Sequence, residues 1–85
     1  MNFYYVYVLR STNKDFMYVG ITSDLVKRLG EHNSNKVKST KADSPYELIF
    51  YEAYRDKSDA YRREKYLKTT KGKTTLKTML KSFLG

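Results

Sequence analysis

Apolar and aromatic residues run almost unbroken from Phe3 to Leu9, and the β-branched and aromatic content of Phe3–Arg10 suits a buried strand. Ser11-Thr12-Asn13-Lys14-Asp15 is turn chemistry. Phe16–Ile21 reads as a second strand, so the two form a hairpin around a five-residue loop. Thr22-Ser23-Asp24 is a cap cluster, and Leu25, Val26 and Leu29 begin a helical stripe that ends near Asn33. Gly30 lies inside that helix and weakens it by roughly 1 kcal/mol relative to alanine. Ser34–Ser44 has no apolar period and reads as a loop. After Pro45, Tyr46–Tyr54 is a third strand, apolar on both faces of the pleat, which predicts a central position in the sheet. Ser58 or Asp59 caps a second helix that runs to Leu67 or Lys68. A third helix spans about Lys73 to Leu84, where Leu76, Met79, Leu80, Phe83 and Leu84 form an amphipathic stripe. The order is strand, strand, helix, strand, helix, helix. The expected fold is α+β, an α/β sandwich in which a three-stranded β-sheet is flanked by helices.

Composition narrows the chemistry. With 85 residues the chain is expected to form a single domain, 1–85, with room for one small core. It has no cysteine, which removes disulfides and thiolate catalysis, and with a single histidine it excludes a structural zinc site. No apolar run reaches the length of a membrane span. The apolar N-terminal segment has no basic region before it and no small-residue cleavage site after it, so it reads as a strand and the protein as cytoplasmic. Lysine and arginine number 17 against 9 acidic residues, a formal charge of +8, and nine tyrosines accompany them. Such a surface suits a polyanionic partner, and tyrosine can stack on bases as well as bond to phosphate. A lysine-rich face that merely keeps the chain in solution is the ordinary alternative.

Four groups of residues could carry chemistry. Arg28 and His32 stand at i and i+4, on one helix face, where a guanidinium can hold a phosphate by two hydrogen bonds. Both could equally be surface residues of an amphipathic helix. Glu64 falls on the stripe of the second helix that should meet the sheet, so its carboxylate must be paired, hold a cation or border a cleft. A pair with Lys68 is its plainer explanation, as a pair with Lys27 is for Glu31. Tyr7 and Tyr18 lie on the two strands of the hairpin, and both phenols can approach the junction between strand and helix. A phenol titrates near pH ~10, so one that acts as a base needs a nearby cation, and core packing is the competing role. Lys36, Lys38 and Lys41 sit in the loop with Ser39 and Thr40. Lys65 and Lys68, preceded by Arg62 and Arg63, lead to Lys71 and Lys73. Each phosphate these cations neutralise adds salt-dependent affinity that carries no sequence information.

Tyr5-Val6-Tyr7 and Tyr18-Val19-Gly20, with Arg28 and His32 downstream, resemble the tripeptide pair and the helix of the GIY-YIG nuclease family. Nearly the whole chain is similar to the small stand-alone, UPF0213-like members, which resemble the nuclease module of a structure-specific resolvase. Asp59-Ala60 followed by Arg63-Glu64-Lys65 also resembles that group. The likeness implies that Tyr7 ends the first motif and Tyr18 opens the second. It implies that Arg28 is the catalytic arginine, His32 the helix histidine and Glu64 the ligand of one Mg²⁺ or Mn²⁺ ion. It implies a metal-dependent endonuclease that hydrolyses DNA in repair or recombination, leaving a 5′-phosphate and a 3′-hydroxyl. Single-stranded or branched DNA is the expected preference, with Lys36, Lys38, Lys41, Lys65 and Lys68 as nucleic-acid contacts. DNA is expected over RNA, a monomer over an oligomer, and a protein partner is one route to targeting. A non-catalytic nucleic-acid-binding module on the same fold is the alternative. Two departures stand out: Tyr5 occupies the position of the family's first glycine, and Val6 and Val19 replace isoleucines. An asparagine that lines the site in some larger members has no clear counterpart here. No further DNA-binding domain is expected, so target choice is expected to come from the core itself or from a partner.

Overall fold

A computed structural model describes residues 2–38 and 40–85. Strand β1 (Tyr4–Ser11) and strand β2 (Met17–Thr22) form the expected hairpin, followed by helix α1 (Leu25–Asn33). A short 3₁₀ turn (Lys41–Asp43) leads into strand β3 (Tyr46–Tyr54). Helices α2 (Lys57–Leu67), α3 (Thr70–Met79) and α4 (Lys81–Leu84) complete the chain. The sheet is antiparallel, in the order β2-β1-β3. It is therefore the α+β arrangement that the apolar pattern indicates.

The central strand is β1, with Val6, Tyr7, Val8 and Leu9 all buried, and β3 is an edge. The sequence reading of β3 as central is thus corrected. A register shift pairs Val8 with Phe50 but Leu9 with Leu48, which leaves Ile49 as an extra residue. Ile49 and Phe50 consequently pack into the same core. The bulge turned a strand with one open side into an unbroken apolar run.

Alternation along β1 splits the interior into two cores. Val6 and Val8 face α2 and α3, where they meet Val19, Ala60, Leu67 and Leu76. Tyr7 and Leu9 face α1, where they meet Tyr18, Leu25, Leu29, Tyr46 and Leu48.

Helix boundaries moved where a different residue supplies the cap. Asp24 caps α1 by accepting from the Lys27 amide, as the cap cluster indicates. Asp56, two residues before Ser58, caps α2. Thr69 caps α3 by accepting from the Gly72 amide, so that helix starts earlier than Lys73 and breaks at Leu80. Gly72 is not a turn glycine: a side chain there would overlap the Tyr66 carbonyl, so glycine lets α3 close onto the end of α2. With the break, the stripe is only partly used, and Met79 and Phe83 remain 44% and 54% exposed.

Candidate active site

Gly20 and Tyr7 are cross-strand partners in the hairpin. The Tyr7 ring lies across Gly20 so closely that a Cβ on Gly20 would overlap the phenol oxygen. That contact aims the Tyr7 hydroxyl off the edge of the sheet toward α1. There it meets His32 Nε2 at 2.9 Å and accepts a hydrogen bond from Arg28 Nε at 3.3 Å. Tyr7 is 2% exposed and His32 fully buried, whereas Arg28 is half-buried. Arg28 lines an open cleft of about 500 Å³ with Thr22, Asp24, Lys27 and Glu31. The guanidinium therefore stands between the cleft and the buried phenol.

The protons are assigned by hydrogen-bond accounting. Arg28 is always charged and donates to Tyr7, so the Tyr7 O–H needs an acceptor, which His32 Nε2 provides. His32 then carries its proton on Nδ1 and donates to Thr40 Oγ1 at 2.7 Å. The buried Thr40 hydroxyl passes the chain on to the Val37 carbonyl at 3.4 Å. Electrostatics agree. Burial raises the Tyr7 pKa, and the opposing hydrogen bond from Arg28 does not offset it. Burial, followed by the Arg28 charge, lowers that of His32 and keeps the ring neutral. Arg28 is held in its charged form above all by the hydrogen bond to Tyr7. Arg28 is the nearby cation that a basic phenol needs, but it does not make Tyr7 more acidic than an ordinary phenol: desolvation outweighs the cation.

Tyr18 joins the cluster by ring packing, 5.0 Å from His32 and 6.3 Å from Tyr7 between centroids, and stays half-exposed at the rim. Glu64 reaches the rim from the other side. Its helix, α2, packs on the sheet face opposite α1. Yet the Glu64 charge helps to raise the Tyr7 pKa, and Glu64 holds Lys68 at 3.2 Å. The Lys68 ammonium lies 6.0 Å from the Tyr18 ring, so the carboxylate and its lysine wrap the open edge of β2. No hydrogen bond or ion pair links Glu64 directly to Tyr7, Tyr18, Arg28 or His32 among the described residues. Glu31 pairs with Arg28 at 3.2 Å rather than with Lys27.

The expected nucleic-acid contacts separate. Lys68 is at the rim; Lys65 is exposed on α2, with no hydrogen bond or ion pair to the cluster among the described residues. Lys36, Lys38 and Lys41 are exposed on the segment between α1 and β3, which Thr40 anchors to His32. Arg63 is structural: it grips Glu52 of β3 at 2.9 and 3.2 Å, and Tyr54 also bonds to that carboxylate. Arg62 pairs with Asp59.

Sequence reasoning missed Thr40 and Tyr46. Thr40 lies in a stretch without apolar period, so no pattern marked it as buried. Tyr46 packs 6.2 Å from His32, and its buried hydroxyl has no hydrogen-bond partner among the described residues.

Residues 3–77 match the GIY-YIG catalytic domain. The chain belongs to that family. A UPF0213 protein of Bacillus pumilus is 42% identical over 67 residues, 78% of this chain and 67% of that one. A UPF0213 protein of Desulfotalea psychrophila is 33% identical over 85 residues, covering 94% of this chain and 76% of its own. The solution NMR structure of a UPF0213 protein from Bacillus halodurans superposes with a TM-score of 0.56 at 32% identity, covering 93% and 85% of the two chains. Within this GIY-YIG chain, Tyr5 replaces the first motif's glycine without difficulty: its ring packs on Tyr51 at 5.8 Å and Phe3 at 6.5 Å. The close approach that demands glycine is at Gly20. Among the described residues no helix is long and apolar enough to cross a membrane.

Proposed function

We propose that this GIY-YIG chain is an endonuclease that hydrolyses DNA phosphodiester bonds with one divalent metal ion. The observation that carries the reading is the Tyr7 hydroxyl, held between a cation that opens on a cleft and a neutral imidazole that can take a proton. A phosphate entering the cleft meets Arg28, which neutralises the charge that grows on the phosphate oxygens in the transition state. Tyr18, half-exposed beside it, orients the attacking water. The water passes a proton to Tyr7 Oη as Tyr7 gives its own to His32 Nε2, and Thr40 keeps Nδ1 protonated so that Nε2 stays free. Proton acceptance thus belongs to the Tyr7–His32 pair, with no free phenolate required.

The donor set fits a metal of one kind. Among the described residues no group of three or more His, Cys, Asp or Glu side chains is placed to cage an ion. Glu64 offers a lone carboxylate, its side chain 12% exposed. A single oxygen ligand suits Mg²⁺ or Mn²⁺, which keep most of their waters and complete the shell with substrate phosphate. Bound by Glu64, the ion would supply Lewis-acid stabilisation of the leaving oxygen. Before that, the Glu64–Lys68 pair must open.

The test is incubation of labelled single-stranded, blunt duplex and flap DNA with Mg²⁺, Mn²⁺ or chelator. The endonuclease reading expects cleavage of at least one substrate, abolished by chelator, with 5′-phosphate and 3′-hydroxyl ends. Binding that ignores metal, with every substrate intact, would instead mark a binding module on this fold.

A further inference from the structure

We infer that the open edge of β2 is a track for an unpaired nucleic-acid strand, with Phe16 as a base-stacking platform and Lys73 and Lys77 as phosphate contacts. This rests on the nucleic-acid reading of the site and, for the expected preference for unpaired DNA, adds a path along the protein and three residues that take no part in the chemistry.

Strand alternation builds the track. Tyr18 points to the α1 side and into the catalytic cluster, while its neighbours Met17 and Val19 point to the other side. There they line a second groove, of about 190 Å³, that extends under α3. Only the width of β2 separates groove from cluster, and among the described residues β2 has no partner on its outer side.

That edge offers both halves of what a single strand needs. On the groove side stand Lys73 and Lys77, four residues apart on one helix face, both exposed and in no ion pair among the described residues. At the hairpin end, Phe16 borders both: it lines the groove, and its ring leans edge-on against Tyr46 of the cluster side at 6.5 Å and is 37% exposed. Phe16 lies two residues from Tyr18, about 7 Å along the strand, close to the reach of one extended nucleotide. A strand leaving the cluster past Lys68 therefore meets an open ring at the hairpin end and two ammonium groups on the groove side. Asp15, the one acidic residue at the groove, marks its hairpin end, where phosphate is disfavoured.

The aromatic half decides between duplex and single strand. A duplex hides its base faces and presents phosphates, for which lysines alone suffice. An open aromatic ring gains only from an unstacked base.

The test measures binding of fluorescent dT20 and of a blunt 20-base-pair duplex in chelator, across a salt series. Lys73→Ala with Lys77→Ala is expected to lower the dT20 salt slope by about 1.4, at ~0.7 per lost contact. That corresponds to about 25-fold weaker binding at 0.1 M salt when referred to 1 M. Phe16→Ala is expected to weaken dT20 at least about fivefold, leaving the salt slope and the duplex affinity unchanged. All three positions are exposed, and circular dichroism checks that the variants fold. Unchanged dT20 binding in the lysine variant would overturn the track. So would a Phe16→Ala loss shared equally by the duplex. Wild-type protein that binds neither probe would sink the nucleic-acid reading and the track together. Binding through these residues without cleavage under any metal would uphold the track and sink the endonuclease alone.

Discussion

Thr40 touches no residue that the cleft exposes, yet it sets which nitrogen of His32 is free. Thr40→Val keeps the shape but leaves the buried Nδ1–H without its acceptor. That is expected to cost about 1–3 kcal/mol of stability and to reduce cleavage, with Thr40→Ser restoring both; thermal melts and a pH–rate profile provide the check. His32 also makes the fold acid-sensitive. Its pKa in the folded protein is lowered, first by burial and then by Arg28, so below pH ~6.5 the unfolded chain takes up the proton first. Stability is therefore present above that pH and lost as pH falls through it, and the acid limb of activity should lie below ~6.5. A His32→Gln variant that keeps the whole acid-dependent change in melting temperature would contradict this assignment. Tyr46 gives the opposite kind of prediction. Its hydroxyl is buried without a partner, so Tyr46→Phe should be neutral or stabilising by up to about 1 kcal/mol in denaturant melts. A loss of stability would show that the hydroxyl has a partner, such as a bound water.

At the level of elements, the hairpin does most of the positioning. Gly20 gives the Tyr7 ring its place, and Gly20→Ala forces the phenol away from Arg28 and His32. Overpacking of this kind costs about 1–3 kcal/mol, and the cleavage loss should match that of Tyr7→Phe; equal activity to wild type would show that Tyr7 needs no fixed seat. The hairpin and α1 were legible because turn residues and the cap cluster Thr22-Ser23-Asp24 bracket them, with Asp24 serving as the cap. The boundaries of α2 and α3 were less so. Asp56 and Ser58 are both good caps, and Thr69 and Gly72 resemble a turn until the packing against Tyr66 is known. The edge position of β3 was hidden by its bulge, since periodicity cannot count a residue that the partner strand skips.

Across the whole molecule, α1 lies on one face of the sheet and α2 on the other, and the cluster forms where side chains from both reach the free edge of β2. Arg28 and His32 could be placed on one helix face from their spacing, and Tyr7 and Tyr18 on one hairpin, but only the likeness of the flanking motifs joined them as a site. Glu64 could be singled out as a carboxylate on a core-facing stripe. Its pair with Lys68 was legible from the i, i+4 spacing; that the pair reaches the field of Tyr7 around a strand edge depends on helix packing that no local pattern encodes. Nor could spacing choose between Tyr7 and His32 as proton acceptor, because burial at that depth is a property of the assembled fold. The most direct measurement is single-turnover cleavage of a flap substrate by wild type, Arg28→Ala and Glu64→Ala, with binding recorded on the same samples. Metal-dependent cutting by wild type is expected, with a loss of at least about 10²-fold in each variant and DNA affinity largely kept in Glu64→Ala. Cleavage that survives in both variants would contradict the assignment of chemistry to this edge of the sheet.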